Sequence, residues 1–198
     1  MEGSATSWAS AARVSAGFFL GAVAGIFFGI LTGQFPLFAS LFGPIFHILR
    51  PIPPIAFVPI VILWFGLSEA GKIFLVFWGV FFTVWVATHL GVQRADPALI
   101  RAARSLGAPD RLLIRDVILP SALPTIFVGL RTAVSISFYT LVAAELAGAV
   151  AGLAYRIDLA HQNMQTGQML GGLVMLGIVS AAADRGFALL SRRLVWWN

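Results

Sequence analysis

Five apolar stretches, about 14–33, 54–66, 72–90, 122–148 and 168–190, leave this chain few ways to fold. An α-helix rises ~1.5 Å per residue, so crossing ~30 Å of hydrocarbon takes about 20 residues. The first, third, fourth and fifth stretches meet that length. The second meets it only if it begins near Phe46 and runs through Pro51, Pro53, Pro54 and Pro59, so a kinked or broken helix is expected there. Only 11% of the 198 residues are charged and 59% are hydrophobic, whereas a soluble domain carries about 25% charged residues. A water-facing surface of ordinary size cannot be built from this composition. The expectation is an all-α membrane protein of about five transmembrane helices. Residues 1–13 form a polar extracytoplasmic segment, and Glu2 stands where a secretory signal would carry cations, so no cleavable signal is expected.

The cations give the sidedness. Arg94, Arg101, Arg104, Arg111 and Arg115 fall between the third and fourth stretches, Arg50 lies between the first and second, and Arg185, Arg192 and Arg193 close the last. With five spans these share one side, leaving Arg13, Lys72 and Arg156 for the other. The positive-inside rule then places the segment 91–121 and the C-terminus in the cytoplasm and the N-terminus outside. A net charge of +5 is therefore read as membrane topology, and no nucleic-acid partner is expected.

Within 91–121, Asp96-Pro97 reads as a helix start, with Asp as N-cap and Pro at the first helical position. Gly107 is placed to end that helix. Pro109-Asp110 opens a second amphipathic helix over 111–119, which Pro120 is expected to stop. An ordinary solvated connector would have the same composition.

Gly17, Gly21, Gly25, Gly29 and Gly33 recur at strict four-residue spacing in the first stretch. They form one side-chain-free ridge, which lets another backbone approach closely in lipid. Whether that partner is in this chain or in another copy is not set by the spacing. In the fourth stretch Arg131, Ser135 and Glu145 share one helix face, with Tyr139 adding polarity nearby, as a solute path would need. Arg131 near one end and Glu145 near the other also fit plain interfacial placement. His47, His89 and His161 lie apart, without carboxylate clusters or metal-ligand spacing, and there is no Cys, so no metal site is expected. The one Lys, Lys72, follows Gly71 but precedes Ile73, so the phosphate-binding Gly-Lys-Ser/Thr pattern is missing. The energy for any active transport must come from another chain.

Ala102-Ala103-x3-Gly107-x9-Val117-x-Leu119-Pro120 resembles the cytoplasmic loop motif of ABC importer permeases, Glu-Ala-Ala-x3-Gly-x9-Ile-x-Leu-Pro, with Arg101 where that family usually has Glu. The run Arg50-Pro51-Ile52-Pro53-Pro54 through Trp64-Phe65-Gly66 is similar to the nitrate/sulfonate/taurine branch, as are Gly91-Val92-x3-Asp96-Pro97 and Val142-Ala143-Ala144-Glu145-Leu146. The resemblance implies a type I ABC importer permease fold over 14–198, with the first helix of the family missing. It implies that Asp96, Pro97, Ala102, Ala103, Gly107, Leu119 and Pro120 belong to the coupling element that meets the ATPase. It also implies a second permease copy as a homodimer, two cytoplasmic ATPase subunits that hold ATP and Mg, an external solute-binding protein, and a bacterial inner-membrane location. On this resemblance the chain is a transport subunit and not itself an enzyme, moving a small anionic solute such as nitrate, taurine or an alkyl sulfonate by alternating access. The alternative is a stand-alone secondary transporter or channel using Arg131 and Glu145.

Overall fold

A computed structural model describes residues 2–146 and 152–194, with side chains placed over 10–145 and 152–193. Its helices are α1 (Glu2–Gln34), α2 (Pro36–Leu49), α3 (Val58–Phe65), α4 (Glu69–Gln93), α5 (Pro97–Ser105), α6 (Asp110–Leu113), α7 (Leu119–Leu146), α8 (Leu153–Gln162) and α9 (Thr166–Leu194), with a 3₁₀ turn at Pro54–Phe57. Residues 2–13, expected as a segment outside the membrane, are helical and continuous with the first span. Residues 147 and 148, at the end of the fourth apolar stretch, lie outside the described residues.

The glycine ridge finds its partner in the same chain. Gly17, Gly21, Gly25, Gly29 and Gly33 face Val76, Val80, Val84, Thr88 and Val92 of α4 in that order. A Cβ on Gly25 would sit 2.8 Å from the Phe81 carbonyl oxygen and 2.9 Å from Val84 Cβ, so the two backbones are as close as helices allow. Each bare step on α1 receives a β-branched side chain from α4, whose rotamer the helix already fixes, so little side-chain entropy is lost in the contact. The matched order also makes α1 and α4 parallel.

That direction has a topological consequence. Two parallel neighbours in a membrane require the chain between them to cross back. The return is α2 and α3, joined through the 3₁₀ turn and bent by 87°. Along it Phe46 packs on Trp85 (ring centroids 5.0 Å), Phe57 on Trp78 (4.3 Å) and Phe65 on Phe74 (5.7 Å), climbing α4 from its end toward its start. The expected broken span is therefore a true crossing. It starts earlier than Phe46, at Pro36, where the first helical position tolerates the missing N–H. Pro51, Pro53 and Pro54 remove three donors within four residues and cause the bend.

α7 runs antiparallel to α4, with Gly91 against Ala122, Gly129 against Ala87 and Gly79 against Thr140. α9 returns antiparallel to α7, with Phe187 on Phe127 at 6.2 Å. The starts of α1, α4 and α9 thus share one end of the bundle with α8, and α5 and α6 share the other with the C-terminal end of α9. Pro120 does not stop a helix. α6 continues through a π turn, Ile114–Ile118, directly into α7, and Asp110–Glu145 forms one rod of 36 residues. Pro120 lies at the second position of α7, where the π turn has already displaced the hydrogen-bond ladder that a proline would break.

Gly25→Ala drives a methyl into backbone atoms and should cost about 1–3 kcal/mol, read as a lowered thermal unfolding midpoint of the solubilised protein. Gly43→Ala, with nothing within 4 Å of the new methyl, should leave the midpoint unchanged or raise it.

Candidate functional site

Four charges that an apolar stretch would not tolerate singly are gathered at the end of the bundle opposite α5. Glu145 of α7 is 1% exposed and Arg13 of α1 is 4% exposed. Arg13 Nη1 donates to Glu145 Oε1 at 2.9 Å, while its Nε and Nη2 fork onto the Glu69 carboxylate of α4. Lys72, one turn along α4, donates to Glu69 Oε1 at 2.8 Å. The second Glu145 oxygen accepts the Ala154 N–H at the start of α8 at 2.9 Å. Ser10 donates its hydroxyl to Glu145 Oε1 and accepts the Leu153 N–H at 3.2 Å. One carboxylate of α7 is thereby satisfied by α1 and α8 together, at a helix N-terminus that favours negative charge. Gly152 allows this approach: at φ 151° its backbone passes so close to the Glu145 carboxyl that a Cβ would overlap it. Two cations and two anions meet here, with Arg13, Lys72 and Glu145 buried and the Glu69 carboxylate open to the surface.

A second polar clamp closes the other end of the α1–α4 seam. Trp85 Nε1 donates to Thr32 Oγ1 at 3.0 Å, and Thr32 Oγ1 is 3.0 Å from His89 Nδ1. His89 is thus held as a structural side chain. No cluster of three or more potential metal ligands forms among the described residues.

The four residues singled out on α7 separate. Glu145 turns into the node. Arg131, Ser135 and Tyr139, four residues apart, share an exposed face. Arg131 does not snorkel; it makes a bidentate pair with Asp184 of α9, at 2.9 and 2.8 Å. Tyr139 joins a pocket of about 390 Å³ beside the helix break, lined by Arg50 to Pro54, by Trp78, Gly79, Phe82, Thr83 and Val86 of α4, and by Ile136. A second cavity of similar volume, between α1, α7 and α9, is walled almost wholly by apolar groups.

At the opposite end α5 projects from the bundle. Asp96 Oδ1 accepts the Ala98 N–H at 2.7 Å as N-cap. The helix ends in a double closure: Ala108 N–H to the Ala103 carbonyl at 3.1 Å and Gly107 N–H to the Arg104 carbonyl at 2.9 Å, with Gly107 at φ 79°. Ile100 and Ala103 pack against a cluster of Val92, Ala95, Leu113 and Ile118. Ala102 faces outward between Leu99, 53% exposed, and Leu106, 89% exposed. Leu119 and Pro120 lie in the first turn of α7 and are half-buried.

Sequence reading missed the node because Arg13 and Lys72 were weighed only as topological charges. The signal was present as Glu69 three residues before Lys72 at the head of an apolar stretch, a spacing that pairs on a helix. Arg50 was likewise read as a loop cation, although it borders the break.

Helices long and apolar enough to cross a membrane, grouped about one seam and leaving a capped helix projecting at one end, describe a polytopic membrane protein. Residues 21–196 match the model of the family "Binding-protein-dependent transport system inner membrane component". The chain belongs to that family and is a membrane component of an ABC importer. It is 36% identical to the taurine transport system permease protein TauC of Escherichia coli strain K12, over 98% of this chain and 72% of that one. With SsuC of Bacillus subtilis strain 168, assigned to aliphatic sulfonate transport, it shares 38% identity over 94% of this chain and 67% of that one. Its fold matches a chain of an amino acid ABC transporter crystallised with histidines at a TM-score of 0.78, with 16% identity, covering 96% of this chain and 92% of that chain.

Arg13→Ala leaves Glu145 buried without its counter-charge and should destabilise the protein by about 3–5 kcal/mol. The double variant Arg13→Met, Glu145→Met should recover only part of that loss, because the Ala154 N–H then lacks its acceptor. Denaturant titration of the two variants beside wild type checks both outcomes.

Proposed function

We propose that this chain is the permease subunit of an ATP-driven importer for a small oxyanion of the taurine, alkyl sulfonate or nitrate class. Two copies form the translocation path, two ATPase subunits sit beneath them, and an external binding protein delivers the solute. ATP and Mg belong to the ATPase subunits. The observation that carries this reading is α5: capped at both ends, braced by its inner face and left with Leu99, Ala102 and Leu106 uncovered. A rigid short helix with an apolar outer strip is suited to seat in a groove of another protein and transmit its displacement. The end bearing α5 then faces the cytoplasm together with Arg94, Arg101, Arg104, Arg111 and Arg115, and the start of α1 faces outward. The substrate class follows from likeness to TauC and SsuC. α9, whose most apolar window buries nothing within one chain, supplies surface for the second copy.

Arg131, Ser135 and Tyr139 line the path, and alternating access arises when the ATPases draw together and carry α5 with them. A stand-alone carrier coupled through Arg131 and Glu145 is disfavoured because both groups are already held in ion pairs within the chain.

Co-expression with the cognate ATPase and metal-affinity capture of the tagged permease should recover both proteins together. Gly107→Asp places a side chain in a left-handed conformation that costs about 1–2 kcal/mol and unfastens the end of α5. Solute-driven ATP turnover of the reconstituted complex should fall about tenfold or more with that variant. Unchanged turnover, or a permease that never retains an ATPase, would reject the coupling assignment.

A further inference from the structure

Among the charges of the membrane-spanning region, Arg50 is the one without an ion pair that lines a pocket near mid-span; Arg185, also without one among the described residues, is exposed toward the C-terminal end of α9. Arg13, Glu69, Lys72 and Glu145 neutralise one another, and Arg131 is held by Asp184. Arg50 has no carboxylate within ion-pair distance among the described residues, and it lines the pocket at the helix break. The depth of that pocket is fixed by its α4 wall. Trp78, Gly79, Phe82, Thr83 and Val86 straddle the middle of Glu69–Gln93, so the pocket lies near the centre of the bilayer. A cation there costs a few kcal/mol unless water or an anion meets it, and such a group marks a solute site by default.

The surroundings are built to hold this place open. Non-helical backbone at membrane depth is tolerated where it lines a cavity, and Pro51, Pro53 and Pro54 make it non-helical here. Gly79 lets the corner nest against α4, since a Cβ on it would meet Thr140 at 2.9 Å and Pro54 at 3.3 Å. Tyr139 brings a phenolic hydroxyl to the same walls. The Trp78 ring forms part of the same wall. About 390 Å³ is roomy for a small oxyanion with part of its water shell. The other cavity, of similar size, offers almost no donors.

We infer that the pocket between Arg50 and Tyr139 is a binding subsite for a small monovalent oxyanion in transit, with the Arg50 guanidinium as its counter-charge. This rests on the importer reading for its purpose but not for its chemistry, which is carried by a cation without an ion pair among the described residues, the opened backbone and the depth. That depth, ~15 Å from either surface, keeps lipid phosphates away and favours a free solute.

The test is a ligand-observed NMR titration of the full permease–ATPase complex in zwitterionic nanodiscs, with methanesulfonate as the anion and methanesulfonamide as its neutral counterpart. Wild type should bind the anion and discriminate against the amide. Arg50→Gln should weaken the anion about tenfold or more while leaving the amide unchanged, as loss of a charge-assisted hydrogen bond requires. Arg50→Lys should retain most of the affinity, and Tyr139→Phe should lose about threefold, the size of one neutral hydrogen bond. Arg192→Gln, a cation removed from the far end of α9, should match wild type. The same affinities should hold with anionic lipid added; displacement of the probe by that lipid would identify a headgroup site and overturn the inference. Equal binding by wild type and Arg50→Gln, or no binding by an assembled wild-type complex, overturns it as well while leaving the importer reading intact. A permease that takes up no ATPase fails the importer reading, and the titration on the full chain alone then decides the subsite. If Arg50→Gln does not fold, Arg50→Lys and Tyr139→Phe take its place: affinity kept by the first and lowered by the second supports the subsite, and no loss in the second overturns it.

Discussion

The parallel contact of α1 with α4 is the constraint from which most of this architecture follows. Its closeness is made by five bare steps on one helix and five β-branched side chains on the other. In lipid no hydrophobic force draws helices together, so van der Waals fit of this kind must hold the seam. Parallel direction then obliges the intervening chain to recross, and only 34 residues, 35 to 68, separate the two helices. The return is accomplished by a steep α2, a proline corner and a short α3. The pocket is the space that corner leaves against the middle of α4 and α7. Packing, topology and cavity are thus successive consequences of one sequence register.

The charges divide into those spent on structure and those left for chemistry. The node around Glu145 fastens α8 and the start of α1 to the end of α7, and it does so by hydrogen bonds in a setting where water competes poorly. Its charges lie at or near the ends of apolar stretches, and each is matched. Arg131 is matched too, across to α9. Arg50 differs in lining a pocket beside the helix break without an ion pair among the described residues, and it moves attention from the residues that looked functional by polarity to one that looked like an ordinary loop cation.

Legibility from sequence varied with the range of the interaction. Local signals were readable: Asp96-Pro97 begins α5 and Gly107 closes it, because caps depend on residues within one turn. The glycine register was equally plain, and its complement, Val76 through Val92 at the same step, was there to be matched. The identity of the partner helix was not, since spacing alone does not distinguish a neighbour in the chain from one in another copy. Pro120 misled because the rule for helix interiors does not anticipate a π turn absorbing the defect just before it. Glu145 misled because its partners are 9, 132 and 135 residues away. A helical wheel gives the direction of a side chain relative to its own axis and nothing about what stands opposite.

The unbroken rod from Asp110 to Glu145 has one more implication. At ~1.5 Å per residue it is about 54 Å long, much longer than the bilayer core. Its base adjoins α5 and its tip carries the carboxylate that holds α1 and α8. Close contacts with α4 at Gly91, Gly129 and Gly79 fasten it along its length. Such an element puts α5 and the ion pairs of Glu145 at opposite ends of a single piece of backbone, so the two faces of the bundle are tied together without an intervening loop.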